Sequence, residues 1–166
     1  MLGIDPGVSR CGYGCVERTA AGPRAVAMGV ITTPLADSLP IRLAALQSEI
    51  AGLLAELRPQ VVVVERVLFQ TNVRTAMSVG QASGLALAAA AAAGCEVVLY
   101  SPNEVKQAVA GYGAATKDQV QRMVQSLLGL AEPPRPPDVA DALALALCHA
   151  AGAGLRSRIR DVEVSS

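Results

Sequence analysis

The sequence predicts an α/β protein, with a five-stranded mixed sheet flanked by helices. Three observations carry this prediction: β-rich segments open the chain, an unbroken run of valines occupies residues 61–64, and helical segments separate the later strands. A short apolar run of this kind is typical of a strand covered on both faces, and therefore of a central strand. The order of three strands, helix, strand, helix, strand and then helices indicates mixed pairing.

The first part of the chain predicts an antiparallel meander. Leu2–Asp5 is a short apolar strand, and a turn at residues 6–10 leads to a second strand at residues 12–18. A glycine and a proline place another turn at residues 20–24, and residues 25–33 are β-rich enough for a third strand.

Helices and strands alternate in the middle of the chain. In Leu39–Leu57 the apolar residues recur at spacings of three and four, which predicts a helix. Residues 61–64 form the fourth strand, which ends at an acid. A second helix at residues 75–93 stops at Gly94, and Glu96–Tyr100 is the fifth strand.

Three more helices complete the predicted order. The first, at residues 103–110, is capped by Asn103. Thr116 and Gln119 have the spacing of a capping box, which starts a helix that ends at Gly129. After a proline-rich linker at residues 133–137, the last helix is predicted at residues 138–151.

Composition limits the organisation and the location of the chain. With 166 residues, 52% of them hydrophobic, we expect a single domain at residues 1–154 and a flexible tail at residues 155–166. Fourteen basic and fourteen acidic residues cancel, so bulk charge gives no argument for a nucleic-acid partner. Four scattered cysteines and the lack of a signal sequence lead us to expect a reduced, cytoplasmic protein without a membrane span.

Two candidate site residues stand at predicted strand ends. Asp5 ends the first strand, directly before a Pro-Gly turn, and its side chain could instead cap that turn. Glu65 ends the valine strand, so the two carboxylates converge if these strands are neighbours. Glu65 could alternatively pair with Arg66, but consecutive strand residues point to opposite faces.

Two further acids begin the last predicted helix. Asp138 and Asp141 are three residues apart and can lie on one helix face; alternatively, Asp138 is the N-cap and Asp141 assists it at N3. Four acids without a His or Cys cluster suit Mg²⁺, with Mn²⁺ as a plausible substitute. Two such ions about 4 Å apart could stabilise the attacking and leaving oxygens of a phosphoryl transfer.

The chain contains an ordered set of short motifs: GIDPG at 3–7, GYG at 12–14, VERV at 64–67, GQASG at 80–84, VKQ at 105–107, KDQV at 117–120 and DVADALA at 138–144. Together they resemble the RuvC family of Holliday junction resolvases. The resemblance extends from about residue 2 to residue 150.

This resemblance implies a ribonuclease H-like fold, a homodimer and paired Mg²⁺-dependent nicks in a four-way DNA junction. It also implies that Asp5, Glu65, Asp138 and Asp141 are catalytic metal ligands, with the metals rather than a protein base activating the attacking water. His149 is then interpreted as a helix residue, not a catalyst. The RuvA and RuvB branch-migration proteins are the partners implied by the same resemblance.

Five basic residues are candidate DNA contacts. Lys106 and Lys117 match basic positions that the family uses near DNA, and Arg10, Arg74 and Arg122 are further candidates for phosphate contacts. Ordinary solvated surface is the alternative for each of them.

Two other predictions depend on the resemblance. The family often has an aromatic residue after the second acid to stack on a junction base; here Leu68 and Phe69 occupy that segment, and burial of Phe69 in the core is the alternative. Small residues recur every fourth position in the second helix. This stripe, which suits a dimer interface or packing on the sheet, consists of Gly80, Gly84, Ala88 and Ala92.

Three other functions remain open from the residues alone. Actin-like and sugar-kinase ATPases share a glycine-containing turn after the first strand, but they need two related domains. A small nuclease that trims ribosomal RNA precursors and a non-enzymatic DNA-junction binder are the other two.

Overall fold

The computed structural model describes the backbone of residues 1–66 and 73–164, and the side chains of residues 1–66 and 76–152. The strands are β1 Leu2–Asp5, β2 Arg10–Thr19, β3 Gly22–Thr32, β4 Val61–Glu65 and β5 Glu96–Tyr100. The helices are α1 Leu39–Leu57, α2 Val73–Ala92, α3 Pro102–Ala110, α4 Lys117–Leu128 and α5 Pro137–Val164. The predicted fold class is therefore confirmed. Within these residues no helix is both long and apolar enough to span a bilayer.

The five strands form one mixed sheet in the order β3-β2-β1-β4-β5. The first three strands pair antiparallel, as the predicted meander requires. By contrast, β1 pairs parallel with β4, and β4 pairs parallel with β5. Because β1 and β4 run in the same direction, the residues that end them lie at the same edge of the sheet.

The valines of β4 hold the two layers of helices on the sheet. Val62, Val63 and Val64 have no exposed surface. Successive strand residues point to opposite faces, so Val63 belongs to the core shared with α3, α4 and α5, while Val62 and Val64 belong to the core shared with α1 and α2. The continuous apolar run is thus explained by burial on both faces.

Glycines in β1 and β2 let α5 lie directly on the sheet. A Cβ atom at Gly3 would be 1.9 Å from the carbonyl oxygen of Ala142, and one at Gly12 would be 2.1 Å from that of Asp138. Only a residue without a side chain permits such an approach of helix and strand backbones. The position of α5, and with it the position of its first acids, therefore depends on these glycines.

Two predicted boundaries before α5 were wrong, those of the β2–β3 turn and of α3. The β2–β3 turn is shorter than residues 20–24, since the strands reach Thr19 and Gly22. Helix α3 is capped by Ser101, not by Asn103. The Ser101 side chain accepts a hydrogen bond from the Glu104 backbone, and the Glu104 carboxylate accepts one from the Ser101 backbone; the helix accordingly starts one residue earlier, at Pro102.

Helix α5 also has different bounds from those predicted. It begins at Pro137 and continues to Val164 instead of ending near residue 151. Glycine within a helix costs only about 1 kcal/mol and no proline follows, so the glycines at 152 and 154 do not end it. The flexibility of residues 155–166 stays a prediction, because their side chains lie outside the described residues.

Candidate active site

Asp5 and Glu65 lie side by side at one edge of the sheet. Each is the last residue of its strand, and the preceding residues, Ile4 and Val64, are partners in the parallel β1–β4 pairing. On the other side of β1, Asp5 is paired with Gly12 of β2. The predicted convergence of the two strand-end carboxylates is confirmed.

The first turn and a half of α5 supplies the other two acids at this edge. Asp138 is the second residue of the helix and Asp141 the fifth, so Asp138 is not its N-cap. Close contact of the Asp138 backbone with Gly12 seats the helix start beside the strand residue that pairs with Asp5. The four acids are thereby brought to the same edge of the sheet, although Asp5 and Asp141 are 136 residues apart in the chain.

Asp5 is in an environment that opposes its charged form. Its pKa is raised from 3.8 to about 7. Removal of the carboxylate from water is the largest cause, followed by the negative charges of Asp141, Glu65 and Asp138, while Lys117 acts in the opposite direction. A site that raises the pKa of a central carboxylate in this way has unbalanced negative charge, which a bound cation would offset.

Glu65 responds to the same surroundings. Burial and then the charge of Asp141 raise its pKa, and the ammonium groups of Lys117 and Lys106 oppose that rise. Lys117 itself has a raised pKa, chiefly because of the charge of Asp141 and the hydrogen bond to it. Lys106 and Lys117 are thus close enough to the acids to act on them electrostatically.

Two basic side chains bind the acids of α5. The Arg10 guanidinium donates two hydrogen bonds to Oδ2 of Asp138, from Nε at 3.2 Å and from Nη2 at 2.7 Å. The Lys117 ammonium donates one to Oδ2 of Asp141, at 3.1 Å. One cation comes from the start of β2 and the other from the start of α4, so they flank the acids from two sides.

An open cavity of about 180 Å³ adjoins Glu65 and Asp141. Lys106 and Lys117 line it together with apolar residues of α3, α4 and α5. The cavity therefore has both charges that a phosphodiester substrate needs: acids that can hold a metal, and cations that can meet a phosphate.

The donor set has the chemistry of a site for hard divalent cations. Four carboxylates without a neighbouring thiolate or imidazole ligand are the oxygen donors that Mg²⁺ and Mn²⁺ prefer. Across the described part of the chain, however, no three His, Cys, Asp or Glu side chains are arranged to hold a metal ion together. The ion pairs of Asp138 and Asp141 give a physical reason, because each carboxylate has turned one oxygen to a basic side chain.

Only one of the remaining predicted DNA-contact residues has a described side chain. Leu68 and Phe69 lie outside the described residues, and so does the side chain of Arg74. Arg122 is exposed on α4. Their contacts with DNA stay predictions.

The small-residue stripe of α2 faces solvent. Gly80, Gly84, Ala88 and Ala92 are exposed, whereas the alternate small residues Ala82, Ala86 and Ala90 are fully buried against the sheet. His149 is a buried residue of α5, and its Nδ1 is 3.2 Å from the hydroxyl of Tyr100, in agreement with its interpretation as a helix residue.

Sequence reasoning missed the ion pair of Arg10 with Asp138 and the contact of Gly12 with α5. Arg10 was expected only as a phosphate contact. Residues 10 and 138 lie in elements whose packing no local pattern gives. The one available signal was the recurrence of glycine at positions 12 and 14 of a strand, which is typical of close backbone approach.

Without a divalent cation, Asp5→Asn should be more stable than the wild type at alkaline pH. The pKa of Asp5 is about 7 in the folded protein against 3.8 ordinarily, so the folded protein retains a proton that the unfolded chain releases. The stability from this proton is complete below the unfolded pKa and is lost as pH rises through the folded pKa. In EDTA, urea unfolding at about pH 8 should give the variant a free energy of unfolding about 2 kcal/mol higher.

Asp37→Asn is the matched control, because Asp37 is an exposed loop residue. It should leave the free energy of unfolding unchanged throughout, and the advantage of Asp5→Asn should shrink as the pH falls toward about 5. A wild type that is at least as stable as Asp5→Asn at alkaline pH would contradict the raised pKa.

Comparison with known proteins places these features in a family. Residues 1–149 match the profile of the family described as Crossover junction endodeoxyribonuclease RuvC. A relative with that name from Moorella thermoacetica is 52% identical over 162 residues, which cover 98% of this chain and 97% of the relative.

Solved structures give the same result. The chain is similar to the Thermus thermophilus RuvC structure, with 40% identity, a TM-score of 0.84 and coverage of 93% of this chain and 96% of that one. It is also similar to T. thermophilus RuvC in complex with Holliday junction substrate, with 40% identity, a TM-score of 0.86 and coverage of 92% and 93%.

Proposed function

Since the chain belongs to the RuvC family of crossover junction endodeoxyribonucleases, we propose that Asp5, Glu65, Asp138 and Asp141 bind the divalent metal with which it cuts DNA. The family resolves Holliday junctions with the help of a divalent metal, and so does this endonuclease. The cation is Mg²⁺, bound as two ions, with Mn²⁺ as a substitute. The observation that carries this assignment is that four carboxylates, from two strand ends and one helix start, lie at one edge of the sheet.

Each acid contributes in its own way to the proposed centre. Asp5 ends β1, which lies between the strand that carries Glu65 and the strand that seats α5. Burial and then the charges of the other three acids raise its pKa. Glu65 and Asp141 adjoin the open cavity, where the scissile phosphate would enter. When bound, the metal would lower the pKa of a coordinated water and offset charge on the phosphate oxygens.

Basic residues around the acids would hold the DNA backbone. Lys106 and Lys117 line the cavity beside Glu65 and Asp141, so we propose that they bind phosphates flanking the cut. Arg10 lies at the opposite side of the acids and could bind a further phosphate. For Arg74, Arg122, Leu68 and Phe69, DNA contact is proposed from the family resemblance and from their position in the chain.

We propose that the protein acts as a homodimer through the exposed stripe Gly80, Gly84 and Ala88 of α2. A Cβ at either glycine would meet nothing within 4 Å, so this helix face offers a flat surface on which a second helix could pack closely. Two copies related by a two-fold axis would present two cutting sites to the two strands of a symmetric junction.

Several further features of the proposal concern the whole protein. Residues 1–154 would form the single nuclease domain, with residues 155–166 as a flexible extension. None of the four cysteines, all of which lie in the described residues, forms a disulfide, which favours a cytoplasmic location. RuvA and RuvB, the branch-migration proteins implied by the family, are the proposed partners.

The proposal is tested by incubating the protein with a mobile four-way DNA junction, with and without Mg²⁺, and mapping the cuts. We expect nicks at symmetric positions in two strands of like polarity, only when Mg²⁺ is present. A linear duplex of the same sequence serves as the control and should stay uncut. If the junction is bound but remains intact with every divalent cation, the protein is a junction-binding module and the catalytic proposal fails.

A further inference from the structure

Arg10 has a position that its expected role as a phosphate contact does not explain. It is the first residue of β2, where the ladder pairs it with Thr32. The β1–β2 turn folds tightly over its backbone, since a Cβ at Gly7 would be 2.3 Å from the Arg10 carbonyl oxygen. The backbone is therefore fixed, whereas the side chain is 49% exposed.

In the structure this side chain is committed to an acid of the site. Both of its hydrogen bonds go to the same oxygen, Oδ2 of Asp138. The guanidinium thus occupies a carboxylate oxygen that a metal ion would use, and it supplies the positive charge that the ion would supply.

The pairing also affects how the acids could bind a metal ion. Within the described residues no three ligands converge on one point. While the ion pair is in place, Oδ2 of Asp138 is bound to Arg10 and is not available to an ion that the other acids could share.

We propose that Arg10 is a displaceable counter-ion of Asp138. A divalent cation must replace Arg10 at this carboxylate, and Arg10 then becomes available to a DNA phosphate. The inference rests on the proposed role of Asp138 as a metal ligand. Before the cation binds, the guanidinium balances the charge of Asp138. Once the cation has replaced it, the guanidinium lies at the edge of the site with unused hydrogen-bond donors. Its planar geometry allows it to bind a phosphate through two hydrogen bonds.

This exchange predicts whether a mutation of Arg10 raises or lowers the affinity for the divalent cation. If Arg10 competes with the cation, Arg10→Gln should tighten cation binding, although it removes a residue of the site. If Arg10 instead orients Asp138 for the metal, as supporting hydrogen bonds often do, the same variant should weaken it. The two roles are therefore separated by one titration.

The titration is isothermal calorimetry with Mn²⁺, without DNA. Arg10→Gln should lower the Kd for Mn²⁺ by about threefold to fivefold, the factor expected for losing competition from a partly exposed ion pair. Arg24→Gln is the matched control, because Arg24 on β3 forms an exposed ion pair with Glu17 on β2, and neither residue belongs to the acid cluster. It should leave the Kd unchanged.

A double-mutant comparison separates direct competition from a general charge effect. In an Asp138→Asn background, Arg10→Gln should have no effect on the Kd, because the ion pair is already absent. An unchanged or higher Kd in Arg10→Gln alone, or equal tightening in both backgrounds, would overturn the inference. If Asp138→Asn itself binds Mn²⁺ like the wild type, the proposed ligand set fails as well.

The second half of the exchange is tested by junction binding at several salt concentrations. With Ca²⁺ present, Arg10→Gln should reduce the slope of log K against log salt by about one, the value for one lost phosphate contact. In EDTA the slopes of variant and wild type should agree, since Arg10 is then held by Asp138. Equal slopes in Ca²⁺, or an equal reduction in EDTA, would overturn the release of Arg10 to the DNA.

Discussion

Replacing Gly12 by alanine should lower the free energy of unfolding by about 3 kcal/mol and should strongly reduce junction cleavage. The new Cβ would be 2.1 Å from the carbonyl oxygen of Asp138 and 2.6 Å from its carbonyl carbon. These are backbone atoms in a close-packed layer, so the start of α5 must move as a body. Asp138 would then shift relative to Asp5, the ladder partner of Gly12. Urea unfolding and single-turnover cleavage measure the two effects.

Gly52→Ala provides the control for this change. Gly52 is an exposed residue of α1, and a Cβ there would have no neighbour within 4 Å. Because alanine is the better helix former, the variant should be equally stable or more stable by up to about 1 kcal/mol. If Gly12→Ala proved as stable and as active as the wild type, α5 would not depend on close contact with β2.

The elements of the fold follow from local patterns where burial is uniform. The valines of β4 are buried on both faces, and their unbroken run predicted a central strand. In α1, the buried residues Leu46, Ile50 and Leu54 repeat every fourth position, which is the period that predicted the helix. In such segments the periodicity of the sequence and the geometry of the core carry the same information.

Prediction failed where two local signals compete. Both Ser101 and Asn103 are good capping residues. The predicted cap of α3, Asn103, differs from the observed one. Proline suits the first helical position, so Pro102 favours Ser101 as the cap, and Glu104 completes a capping box with it. Ser101, Pro102 and Glu104 together therefore indicate the observed boundary.

Only part of the site could be predicted, because the rest depends on how distant elements pack. The positions of Asp5 and Glu65 followed from strand ends and the pairing of β1 with β4. The bond between Arg10 and Asp138 joins residues 128 positions apart, and it depends on how α5 lies across β2. That packing is governed by Gly3 and Gly12, whose role emerges only when the helix is placed against the sheet.

Asp5→Asn should reduce junction cleavage by about a thousandfold or more while leaving junction binding intact. Asparagine keeps the size of the side chain but removes the negative charge at the centre of the acid cluster. Metal assistance contributes several kcal/mol to reactions of this class, and each 1.36 kcal/mol is a factor of about ten in rate. Binding should persist, because loss of a negative charge cannot increase repulsion of the phosphates.

The most direct test of the site is single-turnover cleavage of a mobile four-way junction in Mg²⁺ by Asp5→Asn, with junction affinity measured in parallel in Ca²⁺. Asp37→Asn, which removes an exposed loop carboxylate, is the control and should cut at the wild-type rate. We predict that Asp5→Asn binds the junction like the wild type and does not cut it. Cleavage by Asp5→Asn at a rate close to that of Asp37→Asn would contradict the assignment of the four carboxylates as the catalytic centre.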